Sequence, residues 1–211
     1  MMNDVKRTPI NELPYSAGLM SQSFWFVEFK NLVRLIREGC SAEEIRNACI
    51  SENLFGLPNE YRTKRVFGYL SGRATMLDDD GMDLMLQSDT GTQKLVNLTA
   101  MIRGDRLLFE FLYEIYRDKV ILGANMLTRE DLAIFFHRKE GQSEIVSGWN
   151  EGTKKHLATS FLKFSAEANL LRMDGRKYFI TLPIISDPLR DYLISSKDTA
   201  ILAAISGGVS Q

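Results

Sequence analysis

Basic side chains that could bind phosphate gather in two short stretches of the sequence. Residues 59–77 hold four lysines and arginines against one acid, a net charge of +3, and residues 154–178 hold six against two, a net charge of +4. Clustered ammonium and guanidinium groups bind nucleic acids because they release the counterions condensed on the phosphates. The candidate DNA-binding residues are Arg62, Lys64, Arg65, Arg73, Lys154, Lys155, Lys163, Arg176 and Lys177.

Helical spacing predicts that several of these residues lie on exposed helix faces. In a helix over 60–77, Arg62, Arg65, Tyr69 and Arg73 recur at i, i+3, i+7 and i+11, which places them in one stripe. Val66, Leu70 and Leu77 form the neighbouring apolar stripe.

A second helix over 152–168 shows the same division. Lys155, Thr159 and Lys163 face away from its apolar stripe. Exposed helix faces are commonly rich in lysine and arginine and simply solvated, so the pattern alone leaves that interpretation open.

The sequence lacks the residue patterns that are typical of metal sites, nucleotide-binding sites and hydrolase active sites. The two cysteines, Cys40 and Cys49, and the two histidines, His137 and His156, do not have the spacing of a zinc site. The sequence contains no phosphate-binding glycine loop, no dinucleotide fingerprint, no hydrolase elbow and no HExxH helix. These patterns predict no catalytic residue, no metal and no cofactor, and therefore a protein that is not an enzyme.

Composition is that of a globular protein. The chain has 211 residues, 45% of them hydrophobic, and a net charge of −1, because residues 78–118 carry nine acids against four bases. Its apolar runs are far shorter than the ~20 residues that span a bilayer. The first residues lack the apolar core of a secretory signal. The sequence predicts a cytoplasmic protein with no membrane contact.

The elements predict a mostly α fold. Two helix-turn-helix or winged-helix-like units are expected around a helical core, with one short β-hairpin wing near residues 170–182, where Asp174-Gly175 separates two β-prone runs. Asp78–Gly81 is expected to be a solvated linker, and Val120–Leu122 a β-prone run. Three parts are expected: an N-terminal arm and helix-turn-helix-like unit over 1–77, a helical middle over 78–123, and a winged-helix-like unit with C-terminal helices over 124–211.

Several short segments resemble the BrxA family, the small component of bacteriophage exclusion (BREX) defence systems. The resemblance spans about residues 13–190. Its motifs are Tyr15–Gly18 with Ser23-Phe24, Glu52–Phe55, Thr63–Arg65, Trp149–Thr153, His156-Leu157, Glu167–Leu171 and Pro183.

The resemblance implies a mostly helical protein that has helix-turn-helix-like units and a likeness to RNA-binding NusB-type domains. It also implies binding to double-stranded DNA, and action beside a methyltransferase, a phosphatase-like protein and an ATPase. It supplies no catalytic motif. Two alternatives stay open. The protein could be an adaptor that binds BREX subunits through the acidic middle (residues 78–118) and the aromatic segment 109–116, or an RNA-binding helical domain.

Overall fold

A computed structural model describes residues 7–208, and it confirms the mostly α prediction. Two short 3₁₀ turns, Ile10–Glu12 and Gly18–Ser21, precede the first long helix. Among the described residues, no helix is long and apolar enough to cross a membrane.

Three helices form the N-terminal part: α1 (Phe26–Arg37), α2 (Ala42–Ser51) and α3 (Glu60–Ala74). The predicted capping box is present, because Ser41 accepts from the Glu44 backbone N–H and the Glu44 side chain accepts from the Ser41 N–H. The connection from α2 to α3 covers residues 52–59. It is longer than the three- or four-residue turn of a helix-turn-helix motif.

The middle of the chain is also helical. It comprises α4 (Asp79–Gln87), α5 (Thr90–Arg103), α6 (Arg106–Phe111), a π-helical turn over Leu112–Tyr116, and α7 (Arg117–Ile121). The expected linker is wrong: Asp78 caps α4 by accepting from the Gly81 N–H at 2.9 Å. The β-prone run is wrong as well, because α7 continues through Val120 and Ile121. Val120 packs against the core from this helix, and such tertiary contacts outweigh local β propensity.

The second half combines helices with a small sheet. Its elements are β1 (Met126–Leu127), α8 (Arg129–Glu140), α9 (Glu144–Ser147), α10 (Glu151–Glu167), β2 (Leu171–Asp174) and β3 (Lys177–Ile180). The hairpin prediction is confirmed: β2 and β3 pair antiparallel, and Gly175 adopts φ +58° in the turn. β1 joins β3 on the other side, so the strand order is β1-β3-β2.

Two C-terminal helices, α11 (Asp187–Ser195) and α12 (Thr199–Ser206), complete the described chain. The core runs continuously through both halves, and α5 is buried along almost its whole length. Phe111, Phe135 and Phe161 meet in its centre, with ring centroids 5.5–6.1 Å apart for the pairs that Phe111 makes. The division at residues 77 and 123 stays a prediction.

Candidate nucleic-acid interface

A groove between α3 and α10 collects cations from both basic stretches. Arg62 and Arg65 line it from α3, and Lys163 lines it from α10. The groove has a volume of about 460 Å³, and its wall includes Trp25 and Phe164. Among residues 7–208, none of the three cations has a carboxylate oxygen within 4.0 Å. We call this feature the basic groove.

Local helix chemistry positions these cations. Asn59 caps α3 by accepting from the Arg62 N–H at 2.8 Å, and Asn150 caps α10 by accepting from the Thr153 N–H at 2.8 Å. In α10, Phe161 and Phe164 are buried and Lys163 is exposed. The lysine side chain therefore lies on the solvent side of the helix.

One carboxylate also lines the basic groove. Glu167 lies four residues after Lys163, on the same side of α10. Partial burial raises the pKa of Glu167, while the positive charges of Lys94 and Lys163 oppose that rise. The carboxylate lowers the positive potential at this end of the groove.

Arg73 is not part of this surface, and the prediction that it lies on an exposed face is wrong. Only 5% of the residue is exposed. Its guanidinium donates to the Phe24 oxygen at 2.6 Å and to the Asn97 Oδ1 at 3.0 Å. It also donates to the Ser23 oxygen at 3.0 Å and to the Gln22 Oε1 at 3.2 Å. Burial lowers the pKa of Arg73 to about 9.

Lys154 is likewise unavailable to phosphate. Its ammonium pairs with the carboxylates of Glu140 and Glu151, and 11% of its side chain is exposed. The hydrogen bonds to Glu140 and then Glu151 raise the pKa of Lys154. The expected exposed position is wrong, because this lysine ties the end of α8 to the start of α10.

The remaining predicted residues are exposed but lie outside the basic groove. Lys64 forms an ion pair with Glu60 at 2.6 Å on the surface of α3. Lys155 lines a separate depression between α8 and α10. Arg176 and Lys177 lie at the tip of the β2–β3 hairpin.

Two further residues that line the groove were not among those predicted from the sequence. Tyr61 precedes Arg62 at the start of α3, and His156 lies two helical turns before Lys163 in α10. The signal for Tyr61 was its place beside the basic stripe. The placement of α3 and α10 on opposite sides of one groove has no local sequence signal.

Residues 7–208 contain no group of three or more His, Cys, Asp or Glu side chains arranged to hold a metal. Cys40 and Cys49 are free thiols. Burial raises the pKa of Cys49 to about 11, so this thiol stays protonated at neutral pH.

Fold and surface together define a helical protein that has a small antiparallel sheet and a basic groove between two helices. A crystal structure of an uncharacterized protein from Magnetospirillum magneticum has the same fold, with a TM-score of 0.78 and 20% identity, covering 92% of this chain and 98% of that one.

Family membership rests on two further comparisons. The BrxA family model matches residues 13–197. A relative described as BREX protein BrxA, from Bacillus cereus (strain H3081.97), is 30% identical over 177 residues, which cover 84% of this chain and 88% of the relative. The chain belongs to the BrxA family.

Proposed function

We propose that this protein is a non-catalytic, double-stranded DNA-binding component of a BREX phage-defence system, acting in the cytoplasm. The observation that carries the proposal is the meeting of Arg62, Arg65 and Lys163 in one groove, with no carboxylate within 4.0 Å of them among residues 7–208. The similarity to a relative described as a BREX protein supports the biological setting.

The second half offers an additional contact surface. The order of β1, three helices and the β2–β3 hairpin is that of a winged-helix unit, with α10 in the position of the helix that approaches DNA. Lys155 on α10 and Arg176 and Lys177 at the hairpin tip are exposed there. These side chains reach phosphates and carry no arrangement for reading base edges, so the proposal includes weak sequence preference.

Fluorescence anisotropy with a labelled duplex over a salt series tests this function. If about four phosphates are neutralised, the slope of log K against log salt is about −3.6. The triple variant Arg62→Gln, Arg65→Gln, Lys163→Gln is expected to weaken binding and to lower the magnitude of the slope by about 2.7.

A second triple variant, which removes three positive charges outside the basic groove, is the matched control. Arg34, Arg46 and Arg138 are exposed and line none of the grooves described above. Their replacement by glutamine is expected to have a much smaller effect. A wild-type slope near zero, or equal losses in the two triple variants, contradicts the proposal, and tighter binding to an RNA competitor supports the RNA-binding alternative.

A second candidate function, an adaptor for other BREX subunits, is favoured by an apolar cleft beside the hairpin. The cleft is about 820 Å³ and lies between the start of α5, the end of α10, β2 and residues 181–186. Met173, Leu182 and Ile184 line it and are 60%, 50% and 86% exposed. Exposed apolar side chains gathered around a cleft are typical of protein-binding sites.

The surface expected for the adaptor from the sequence is not the one that the structure offers. In segment 109–116, Phe111, Leu112, Ile115 and Tyr116 are buried. In the acidic middle, Glu110 and Glu114 pair with Lys139. Co-purification with the BREX methyltransferase, phosphatase-like protein and ATPase tests the adaptor: Ile184→Asp is expected to reduce it and the basic-groove variant to leave it unchanged.

A further inference from the structure

We propose that the basic groove binds an unpaired polynucleotide strand, with the phosphates on Arg62, Arg65 and Lys163 and one base stacked on Tyr61. This inference rests on the proposed function, because it uses the same three cations. It adds that the preferred ligand carries a single-stranded segment, such as a frayed end or an overhang.

The size of the groove favours a single strand. A volume of about 460 Å³ is that of a site for a small organic molecule, for which the usual range is about 300–1,000 Å³. One or two nucleotides have that size. A base pair that enters such a space must first separate, so a blunt duplex contacts only the rim.

Tyr61 supplies the stacking surface. Its side chain lines the groove beside Arg62, and the residue is 76% exposed, the most exposed aromatic residue among those the structure describes. An aromatic ring beside cations is the arrangement by which proteins hold single strands, because every base has a π face that stacks. Trp25, in the same groove, is already stacked on Tyr69 with centroids 6.0 Å apart.

The opposite wall offers polar groups to the same ligand. On α10, His156 lies two turns before Lys163 and Ser160 lies one turn before it. Both side chains can donate or accept hydrogen bonds, so they suit the edge of an unpaired base. The groove therefore joins cations, a free aromatic ring and hydrogen-bonding side chains.

The two other surface depressions described above lack this combination. The cleft beside the hairpin is lined mainly by apolar side chains and has no aromatic residue. In the depression between α8 and α10, Lys154 is paired with Glu140 and Glu151, and the one aromatic ring among the lining residues besides His137, that of Phe136, is only 4% exposed. Only the basic groove among the three brings unpaired cations to an exposed ring.

Anisotropy titrations of the full chain with four labelled probes test the inference. The probes are a blunt duplex, the same duplex with an eight-nucleotide thymidine overhang, oligo(dT) and oligo(U). We expect the overhang to bind about tenfold more tightly than the blunt duplex, which corresponds to stacking of one base. The two oligonucleotides show whether an unpaired strand binds without a duplex, and failure of both to bind would overturn the inference.

Variants of Tyr61 separate stacking from charge. Tyr61→Ala is expected to abolish the tenfold gain from the overhang, and Tyr61→Phe to keep it, because the ring remains. Leu122→Ala is the control, since it removes a large side chain that is 81% exposed elsewhere. Thermal unfolding of each variant checks that the fold is intact.

The outcomes for this inference and for the proposed function differ. If the overhang gives no gain, or if Tyr61→Ala keeps the gain, the inference is overturned. If the blunt duplex then still binds with a salt slope that depends on Arg62, Arg65 and Lys163, the proposed function stands alone. If no probe binds, both are overturned.

Discussion

The guanidinium of Arg73 donates to the backbone oxygen of Phe24 at 2.6 Å, inside the protein. The same side chain binds Gln22 and Ser23, and its charge lies 6.0 Å from the Trp25 ring centroid. Residues 22, 23 and 25 form one wall of the basic groove. Trp25 has a left-handed φ of +43°, which this surrounding structure must hold in place. Arg73 therefore builds the groove wall and does not contact a ligand in the groove.

Replacing Arg73 is expected to lower the free energy of unfolding. Arg73→Ala removes this donor from the oxygens of Gln22, Ser23 and Asn97, while the Phe24 oxygen still accepts from the Asn97 Nδ2. Leaving buried acceptors without a donor costs about 1–3 kcal/mol. Arg62→Ala, on the exposed part of the same helix, is expected to change the free energy of unfolding by less than about 0.5 kcal/mol. Urea denaturation measures both, and equal stability of the two variants would count against this role of Arg73.

Two adjacent lysines of α10 are expected to behave differently. Lys155→Gln should weaken duplex DNA binding and lower the magnitude of the salt slope by about 0.9, because one phosphate contact is lost. Lys154→Gln should leave the slope unchanged and lower thermal stability, because Glu140 and Glu151 lose their partner. Anisotropy and thermal unfolding of both variants check this, and an equal loss of affinity would show that Lys154 also reaches the DNA.

Removing the carboxylate of the basic groove is expected to tighten DNA binding. Glu167→Gln takes away a negative charge beside Lys163, and we expect about a two- to fivefold gain in affinity at low salt. The gain should shrink as salt rises, because screening shortens the range of the repulsion. Glu38→Gln, an exposed acid at the end of α1, is the control in the same anisotropy assay. An identical gain in both variants would reflect net charge alone.

Stability is expected to depend on pH through Asp105. Burial raises the pKa of Asp105 to about 7, although its carboxylate caps α6 by accepting from the Leu108 N–H at 2.8 Å. The unfolded carboxyl has a pKa of about 3.9, so between pH 4 and 7 the folded state binds more protons and stability falls as pH rises.

The variant Asp105→Asn keeps the capping oxygen and removes this titration. Its stability relative to the wild type should therefore increase from pH 5 to pH 8, by at most about 3 kcal/mol. Urea denaturation at both pH values measures the difference. Asp191→Asn, at an exposed position of α11, should show no such change. A constant difference for Asp105→Asn would mean that the buried carboxyl stays ionised across this range.

Gly81 is expected to be needed where α4 meets α11. A Cβ at this position would contact the Tyr192 hydroxyl and lie 2.8 Å from its Cζ, and that hydroxyl accepts from the Arg103 Nη1 at 2.6 Å. Gly81→Ala should cost about 1–3 kcal/mol of unfolding free energy. Gly68→Ala, in open space on α3, should instead stabilise by about 0.5–1 kcal/mol. Thermal unfolding would contradict the prediction if both substitutions shifted stability in the same direction.

Much of the secondary structure could be predicted because its signals are local. The Ser41–Glu44 capping box and the Asp174-Gly175 turn satisfy backbone groups within four residues, so their chemistry is complete in the sequence itself. The end of α7 could not be predicted in this way. Val120 and Ile121 favour strands by propensity, but both continue the helix α7, and of the two only Val120 packs against the core.

The sequence by itself determined the helical class, the hairpin and the two basic stretches. Only the tertiary structure decided which cations face solvent. Arg73 finds its partners at Phe24 and Asn97, which are 49 and 24 positions away, and Lys154 finds Glu140 fourteen positions away. Tertiary packing likewise brought Tyr61 and Lys163 to one groove. Helical periodicity places a residue on a face, but burial depends on what the rest of the chain packs against that face.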